Sequence, residues 1–407
     1  MSSEILFVVV VFAAVYLGMA LGRWPWLRID RTGIVILVAI ALVAGGGIDA
    51  ADAALAVDMP TLLMLFGLMI LSAQFAACGF YDWCSARISI RDASPAAILA
   101  LTVAVAGMLS ALLANDIVVF AMTPMLIAGL KGRGLDPRPY LIGLAGGANA
   151  GSAATIIGNP QNILIGQAGD LDFWCFLLVA GPPAFAGLAI VHVVVWRVWR
   201  HRFIADRSAP SIDMPSPDRL GLVKAVVASA ILLALFASPL PHVMSILMVA
   251  GALLISRRFA SRDMLRLVDW HLLVLFAGLF IVTDAFARTG LPEHALAWLA
   301  DAGWGPGSLQ ILLPLSLLGS NVIGNVPTVV LLLAIAPDLS AHALTALAVL
   351  STLAGNLLIV GSLANIIVVE RAREVGVRLG FAEHARCGVP MTLASMAVAT
   401  AWLLAIH

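Results

Sequence analysis

The pattern Ser110-Ala-Leu-Leu-Ala-Asn115-Asp116 returns 210 residues later as Ser320-Asn-Val-Ile-Gly-Asn325-Val326, and each copy places an asparagine inside a long apolar stretch. A carboxamide at membrane depth is costly unless partnered, so such positions are candidates for function. Two of them at corresponding places in two halves of one chain point to a carrier built from repeats, with its site where interrupted helices meet. Composition places the chain in the bilayer: of 407 residues, 62% are hydrophobic and 11% charged, and mean hydropathy is +1.04. No soluble globule has that balance. The apolar runs, roughly 17 to 30 residues long, suffice to cross about 30 Å of hydrocarbon as helices. They lack the alternation of barrel strands. The expected fold class is an all-α polytopic membrane protein.

The N-terminus, Met1-Ser-Ser-Glu4 followed by apolar Ile5 to Gly22, has no basic region and no small-residue cleavage site, so it reads as a retained first span. Spans are expected near 4–22, 32–49, 60–80, 140–169, 173–196, 221–238, 243–256, 270–287, 343–369 and 388–405. The regions 94–130 and 308–336 read as re-entrant hairpins. Every Lys and Arg except Arg288 then falls on one face, which the positive-inside rule makes cytoplasmic, with both termini external. Each half holds five spans and one hairpin, about ten transmembrane helices in all, and the odd number inverts the second half. The first inverted repeat covers 1–203, with hairpin 94–130 and a broken helix at 140–169. The second covers 221–407, with hairpin 308–336 and a broken helix at 343–369. A cytoplasmic linker at 204–220 carries Pro210, Pro215 and Pro217.

The chemistry lies in four polar interruptions. Asn115 and Asn325 precede helical runs, where an asparagine is a preferred N-cap and Pro327 suits the first turn. A half-helix starting at mid-membrane aims unpaired N–H groups and a partial positive charge into its cavity, a site for an anion or polar solute. Within the long span that carries Thr155, Gly158-Asn159-Pro160-Gln161-Asn162 breaks the helix. Backbone of that kind is tolerated at depth only if buried or lining a polar cavity. Freed carbonyls and the amides of Asn159 and Asn162, with Asn115, are expected to suit Na⁺. Gly355-Asn356 and Gly361-Ser362-Leu-Ala-Asn365 form the counterpart in the second half. Asp116 is the only acid at a hairpin tip, placed to relay a proton or hold a coupling cation. The histidines fall near span ends or loops, and no buried proton-relay histidine is expected. The four cysteines have neither metal nor redox spacing. No Lys or Arg is expected at mid-membrane, so the site should favour a small oxyanion, a neutral oxyacid such as arsenite, or an anion bound with its cation.

Ala114-Asn115-Asp116 with Thr123-Pro124, Asn325-Val-Pro327-Thr328, Gly158-Asn-Pro-Gln-Asn162 and Gly361-Ser-Leu-Ala-Asn365 together resemble the ion transporter superfamily, which includes divalent anion:sodium symporters, citrate transporters and arsenite permeases. The resemblance covers most of the chain. It implies an inverted-repeat fold with a scaffold part and a transport part, two re-entrant hairpins and elevator-like alternating access. In the dicarboxylate symporters the tips read Ser-Asn-Thr. Here Ala114-Asn115-Asp116 and Gly324-Asn325-Val326 lack those hydroxyls and are more similar to arsenite permeases and related anion permeases.

The expected function is a secondary active transporter moving a small anion or oxyacid across the cytoplasmic membrane, coupled to H⁺ or Na⁺. Arsenite or antimonite efflux is the first alternative; a di- or tricarboxylate symporter and an ion channel follow. A channel needs a continuous polar pathway, and only local polar points are present. No nucleophile–base pair or metal-ligand spacing marks an enzyme. No Walker motif is present, so the chain does not itself hydrolyse ATP, and an ATPase partner stays open. The expected partners are the anion and the lipid bilayer, with a homodimer compatible and no nucleic acid.

Overall fold

The computed structural model describes residues 3–21, 29–91, 93–203, 216–301, 305 and 307–406. Regular structure among them is helical. The first half contains α1 (Ser3–Leu21), α2 (Arg31–Ala44), α3 (Ala50–Ala56), α4 (Met59–Ala77), α5 (Phe80–Ser89), α6 (Pro95–Leu112), α7 (Asn115–Gly132), α8 (Arg138–Ser152), α9 (Pro160–Ala168) and α10 (Phe173–Trp199). The second contains α11 (Arg219–Leu235), α12 (His242–Leu254), α13 (Ser261–Arg266), α14 (Trp270–Ala287), α15 (Leu291–Asp301), α16 (Leu309–Val322), α17 (Asn325–Ile335), α18 (Ala341–Ala354), α19 (Leu363–Glu374) and α20 (Phe381–Ala405). Six helices are long and apolar enough to cross a membrane, and several shorter apolar ones accompany them. The protein is an all-helical, multi-span membrane protein.

Acids at the loop ends start many of these helices. Asp58 accepts the Thr61 N–H at 3.2 Å to open α4, and Asp269, 211 positions on, accepts that of Leu272 at 3.0 Å to open α14. Such N-caps satisfy donors that the first turn leaves free. The halves interlock through these helices: α4 packs on α12, and α14 on α2. Small residues then let backbones meet. A Cβ on Gly151 of α8 would lie 2.2 Å from the Gly107 carbonyl oxygen of α6, so that crossing is possible only with glycine. Outside the apolar layer, Arg138 binds Asp136 at 2.6 Å and Glu383 at 2.5 Å, tying the start of α8 to α20. Burial raises the Asp136 carboxyl, but the hydrogen bonds and charge of Arg138 outweigh it and hold that group below the usual carboxylate range.

The expected apolar segments all become helices, and further short helices appear between them. The regions 94–130 and 308–336 are each two helices, α6–α7 and α16–α17, joined by two-residue connections at Leu113–Ala114 and Ile323–Gly324. Four short helices, α3, α5, α13 and α15, fall where loops or span ends were expected. They mix charge with apolar residues, as in Phe80-Tyr-Asp-Trp-Cys-Ser-Ala-Arg-Ile-Ser89, and so leave no membrane-length signal. Residues 204–215 of the expected linker, with Arg207, and the basic residues Arg23 and Arg28 lie outside the described residues.

Candidate functional site

The first tip is fastened by its backbone. The Ala114 N–H donates to Ser72 Oγ at 3.0 Å, and the Asn115 N–H to the Gly158 carbonyl at 3.4 Å. At the second tip Gly324 has φ +102°, a conformation that favours glycine, and the Thr328 hydroxyl donates back to the Gly324 carbonyl at 2.8 Å. Thr328 is thereby committed to holding the turn. Asn115 and Asn325 are the first helical residues of α7 and α17, not the N-caps expected; the caps are Ala114 and Gly324, without side-chain cap bonds. One position further along the helix, the carboxamides make no hydrogen bond to the first-turn N–H groups. Asn115 is 5% and Asn325 7% exposed, and the Oδ1 of each is buried without a hydrogen bond. Asp116 is 9% exposed, and it caps no N–H of its own helix.

The two helix breaks are the opposite case. In the first, Asn162 Nδ2 donates to the carbonyls of Ser152 (3.2 Å) and Thr155 (3.0 Å). In the second, Asn365, 203 residues on, donates Nδ2 to the carbonyls of Gly355 (2.8 Å) and Leu358 (3.1 Å). Each asparagine thus donates to two carbonyls at the interruption of α8–α9 or α18–α19. Each break also receives a polar side chain from the other half. Thr352 of α18 donates to Asn162 Oδ1 at 3.1 Å and accepts from Asn159 and Gln161, both at 3.2 Å. Its counterpart Asn149 of α8 donates to Asn365 Oδ1 at 3.1 Å and Asn356 Oδ1 at 2.8 Å, and accepts from the Ser362 hydroxyl at 2.9 Å.

The arms are tied to the breaks as well. The Thr155 hydroxyl donates to the Ala111 carbonyl at 2.5 Å, and Asn321 Oδ1 accepts the Leu358 N–H at 3.2 Å. Close approach fixes the two glycines. A Cβ on Gly158 would lie 2.3 Å from the Ser152 carbonyl oxygen, and one on Gly361 2.4 Å from Asn321 Oδ1. The amides expected to help hold Na⁺ therefore point their N–H groups at the freed carbonyls. A cation fits poorly among such donors, and of the expected cation ligands only Asn115 keeps an oxygen without a partner.

Three cavities meet around the tips. A small one of about 30 Å³, room for one or two waters or a small ion, is lined by Asn115, Asp116, Pro160, Asn325, Pro327 and Ser362, and also by Gln161 and Arg31. A 550 Å³ cavity shares Asp116 and Pro160 with it and is otherwise largely apolar, with Asn159, Asp269, Arg266 and Arg371 on its wall. A 530 Å³ cavity shares Arg31 and includes Glu370 and Arg373. Arg371 lies 4.1 Å from the centre of the Phe120 ring on α7.

Two expectations are corrected here. A basic side chain does reach the site: Arg31, at the first position of α2, lines the small cavity directly. And one histidine is deeply buried: His384 on α20, 1% exposed, with Nε2 3.2 Å from the Asn356 carbonyl oxygen. Sequence reasoning also left Thr352 and Asn321 out of the polar set. Only the repeat offset of 203 between the breaks, which aligns Asn149 with Thr352, signals the first of them.

Comparison with known proteins follows the same outline. The model of a family described as citrate transporter matches residues 7–343. An uncharacterized transporter of Mycobacterium tuberculosis, Rv2685, is 27% identical over 416 residues, covering 97% of each chain. The silicon efflux transporter LSI3 of Oryza sativa subsp. japonica is 27% identical, covering 92% of each. The putative transporter arsB of Dictyostelium discoideum is 24% identical, covering 90% of this chain and 86% of that one. The crystal structure of the Alcanivorax borkumensis YdaH transporter superposes with a TM-score of 0.56 at 15% identity, over 99% of this chain and 97% of that one. That last likeness concerns the fold alone.

Proposed function

The chain belongs to the citrate transporter family and is a secondary transporter, not an enzyme, and from that premise we propose that it carries a small anion or oxyacid across the cytoplasmic membrane by alternating access. The observation that carries this reading is the small cavity in which two buried carboxamides whose Oδ1 atoms have no hydrogen bond, Asn115 and Asn325, meet the carboxyl group of Asp116. Natural proteins rarely leave buried polar groups unpaired, and each costs about 1–3 kcal/mol. A solute that supplies the missing partners recovers that energy only when it is bound. The first turns of α7 and α17 add partial positive charge at the same place. The relatives named for silicon efflux and as arsB are consistent with oxyacid cargo.

The architecture proposed with this function is an inverted repeat, 1–203 and 221–407, with α6–α7 and α16–α17 as re-entrant hairpins. Its support is the paired breaks, stapled by Asn162 and Asn365 in one pattern, and the reciprocal packing of α7 on α19 and of α17 on α9. The positive-inside rule places both termini outside. On that orientation the larger cavities, with Arg266, Arg371 and Arg373, open toward the cytoplasm, so the conformation is inward-facing. Single cysteines at Gly132 and Asp338 test this: the first should label only from the cytoplasm, the second only from outside, and external labelling at Gly132 contradicts it. The breaks serve in this reading as rigid supports and the tips as the binding groups.

Asp116 is proposed to couple transport to H⁺ or Na⁺. Flux in proteoliposomes with imposed ion gradients tests the function, using arsenite, silicic acid, phosphate and citrate as cargoes. Wild-type protein should accumulate one of these against its gradient when an H⁺ or Na⁺ gradient is applied. Asn115→Ala and Asn325→Ala should each reduce that flux at least tenfold. Gradient-independent, channel-like flux, or full activity in both variants, contradicts the reading.

A further inference from the structure

We propose that Arg31 supplies the counter-charge of the transport site, so that the cargo binds as an anion held between the Arg31 guanidinium and the two tip carboxamides, and not as a neutral oxyacid. The inference rests on the two-tip reading above and narrows its substrate class. Arg31 occupies the first position of α2, outside both hairpins, yet it lines the 30 Å³ cavity with Asn115 and Asn325 and also the 530 Å³ cavity behind it. A solute passing between those two cavities meets its side chain. Its Nε is buried without a hydrogen bond. No ion pair joins it to a carboxylate among the described residues, although Glu370 and Asp116 line the same two cavities.

Arg31 is half-buried, with its Nε shut off from water while the rest of the fork faces the cavities, and a planar fork so placed can grip an anion at two oxygens. The surroundings suit such an anion. Each tip carboxamide lacks a partner at Oδ1, and a half-turn of the amide presents its NH₂ instead, an exchange that heavy-atom positions leave open. The N-termini of α7 and α17 add about half a charge each. A neutral acid would satisfy the amides but leave the guanidinium uncompensated. Asp116 is the negative charge in the same cavity, which a coupling cation must neutralise when the anion binds. Loading of anion and cation together follows from that arrangement.

The test uses the purified full-length carrier in detergent at neutral pH and reads thermal stabilisation by sodium phosphate, sulfate, succinate and citrate against arsenous and orthosilicic acids, which are uncharged there. Sodium chloride controls for ionic strength. At least one oxyanion should raise the melting temperature and the neutral acids should not. Arg31→Gln should weaken the stabilising oxyanion at least tenfold. Arg31→Lys, which keeps the charge and loses the fork, should retain the preference for anions at reduced affinity, and it carries the test should the glutamine variant not fold. Stabilisation by the neutral acids equally in wild type and variants, by no compound at all, or by an oxyanion equally in wild type and Arg31→Gln overturns the inference. If Asn115→Ala and Asn325→Ala lose the oxyanion while Arg31→Gln keeps it, Arg31 falls and the two-tip site stands. If all three keep it, the two-tip site itself is wrong.

Discussion

The helix breaks of this protein and the tips between α6 and α7 and between α16 and α17 are built from the same residue, asparagine, and treat it in opposite ways. At the breaks Asn149, Asn159, Asn162, Asn356 and Asn365 all donate to protein oxygens. At the tips Asn115 and Asn325 are buried too, yet the Oδ1 of each has no partner. The lesson is that an asparagine at membrane depth is not by itself a ligand-binding group. What separates a staple from a site is whether the protein already uses the amide. A satisfied buried network rigidifies its surroundings, and a moving carrier needs such rigidity next to the groups that change partners.

This contrast can be broken most severely at the close approaches. Gly158→Ala should be the most damaging change, because the added Cβ meets backbone at 2.3 Å, 2.7 Å and 2.9 Å and none of those atoms is a flexible side-chain end. Overpacking of this kind costs about 1–3 kcal/mol, occasionally more, so the variant should fail to yield monodisperse protein in size-exclusion chromatography. A well-folded Gly158→Ala carrier would mean that the break is loose. Asn365→Ala comes next. It strands the Gly355 carbonyl and takes one hydrogen bond each from the Leu358 carbonyl, which keeps the Gly361 N–H, and from Asn149 Nδ2, which keeps Asn356 Oδ1, and at about 1–3 kcal/mol for an unsatisfied group a clear drop in melting temperature should result.

Thr352→Val removes a hydroxyl that serves Asn159, Gln161 and Asn162 at once. The expected loss, about 1–3 kcal/mol, is to be read from thermal unfolding, and it should exceed that of Thr345→Val, whose hydroxyl only bonds back to Ala341 in its own helix. Equal effects would remove the case for a staple between halves. The smallest change in stability belongs to Asp116→Asn, which deletes no hydrogen bond. Its melting temperature should stay within about 1 °C of wild type, a shift corresponding to less than about 0.5 kcal/mol, while gradient-driven accumulation is lost and exchange persists. Unchanged accumulation would reduce Asp116 to a bystander.

Much of this was legible in the sequence because glycine, proline and asparagine punctuate apolar runs at the places where helices stop. Gly158-Asn-Pro marks the first break, and the 210-residue recurrence of the Asn115 pattern marks both tips. Thr352 was not legible, since it sits in an uninterrupted apolar helix and its partner Asn162 is 190 residues away. Arg31 follows Asp30 at what reads as a loop boundary, and only the packing of α2 against α14 carries it to the cavity. The short helices α5 and α15 escaped because their mixed polarity resembles loop. The satisfied state of the break amides could not be read from one strand of sequence either, as the carbonyls they meet depend on the path of the chain between Ser152 and Pro160.

The most direct measurement compares thermal unfolding of Asn115→Ala and Asn162→Ala in the same detergent with no solute added. The account predicts that Asn115→Ala melts at or slightly above the wild-type temperature, since it removes a buried group that had no partner. Asn162→Ala should melt several degrees lower, since it removes one hydrogen bond each from the Ser152 and Thr155 carbonyls and takes away the acceptor of the Thr352 hydroxyl. If Asn115→Ala is destabilised as much as Asn162→Ala, the tip carboxamide is a structural staple like the others, and the division between supports and site is wrong.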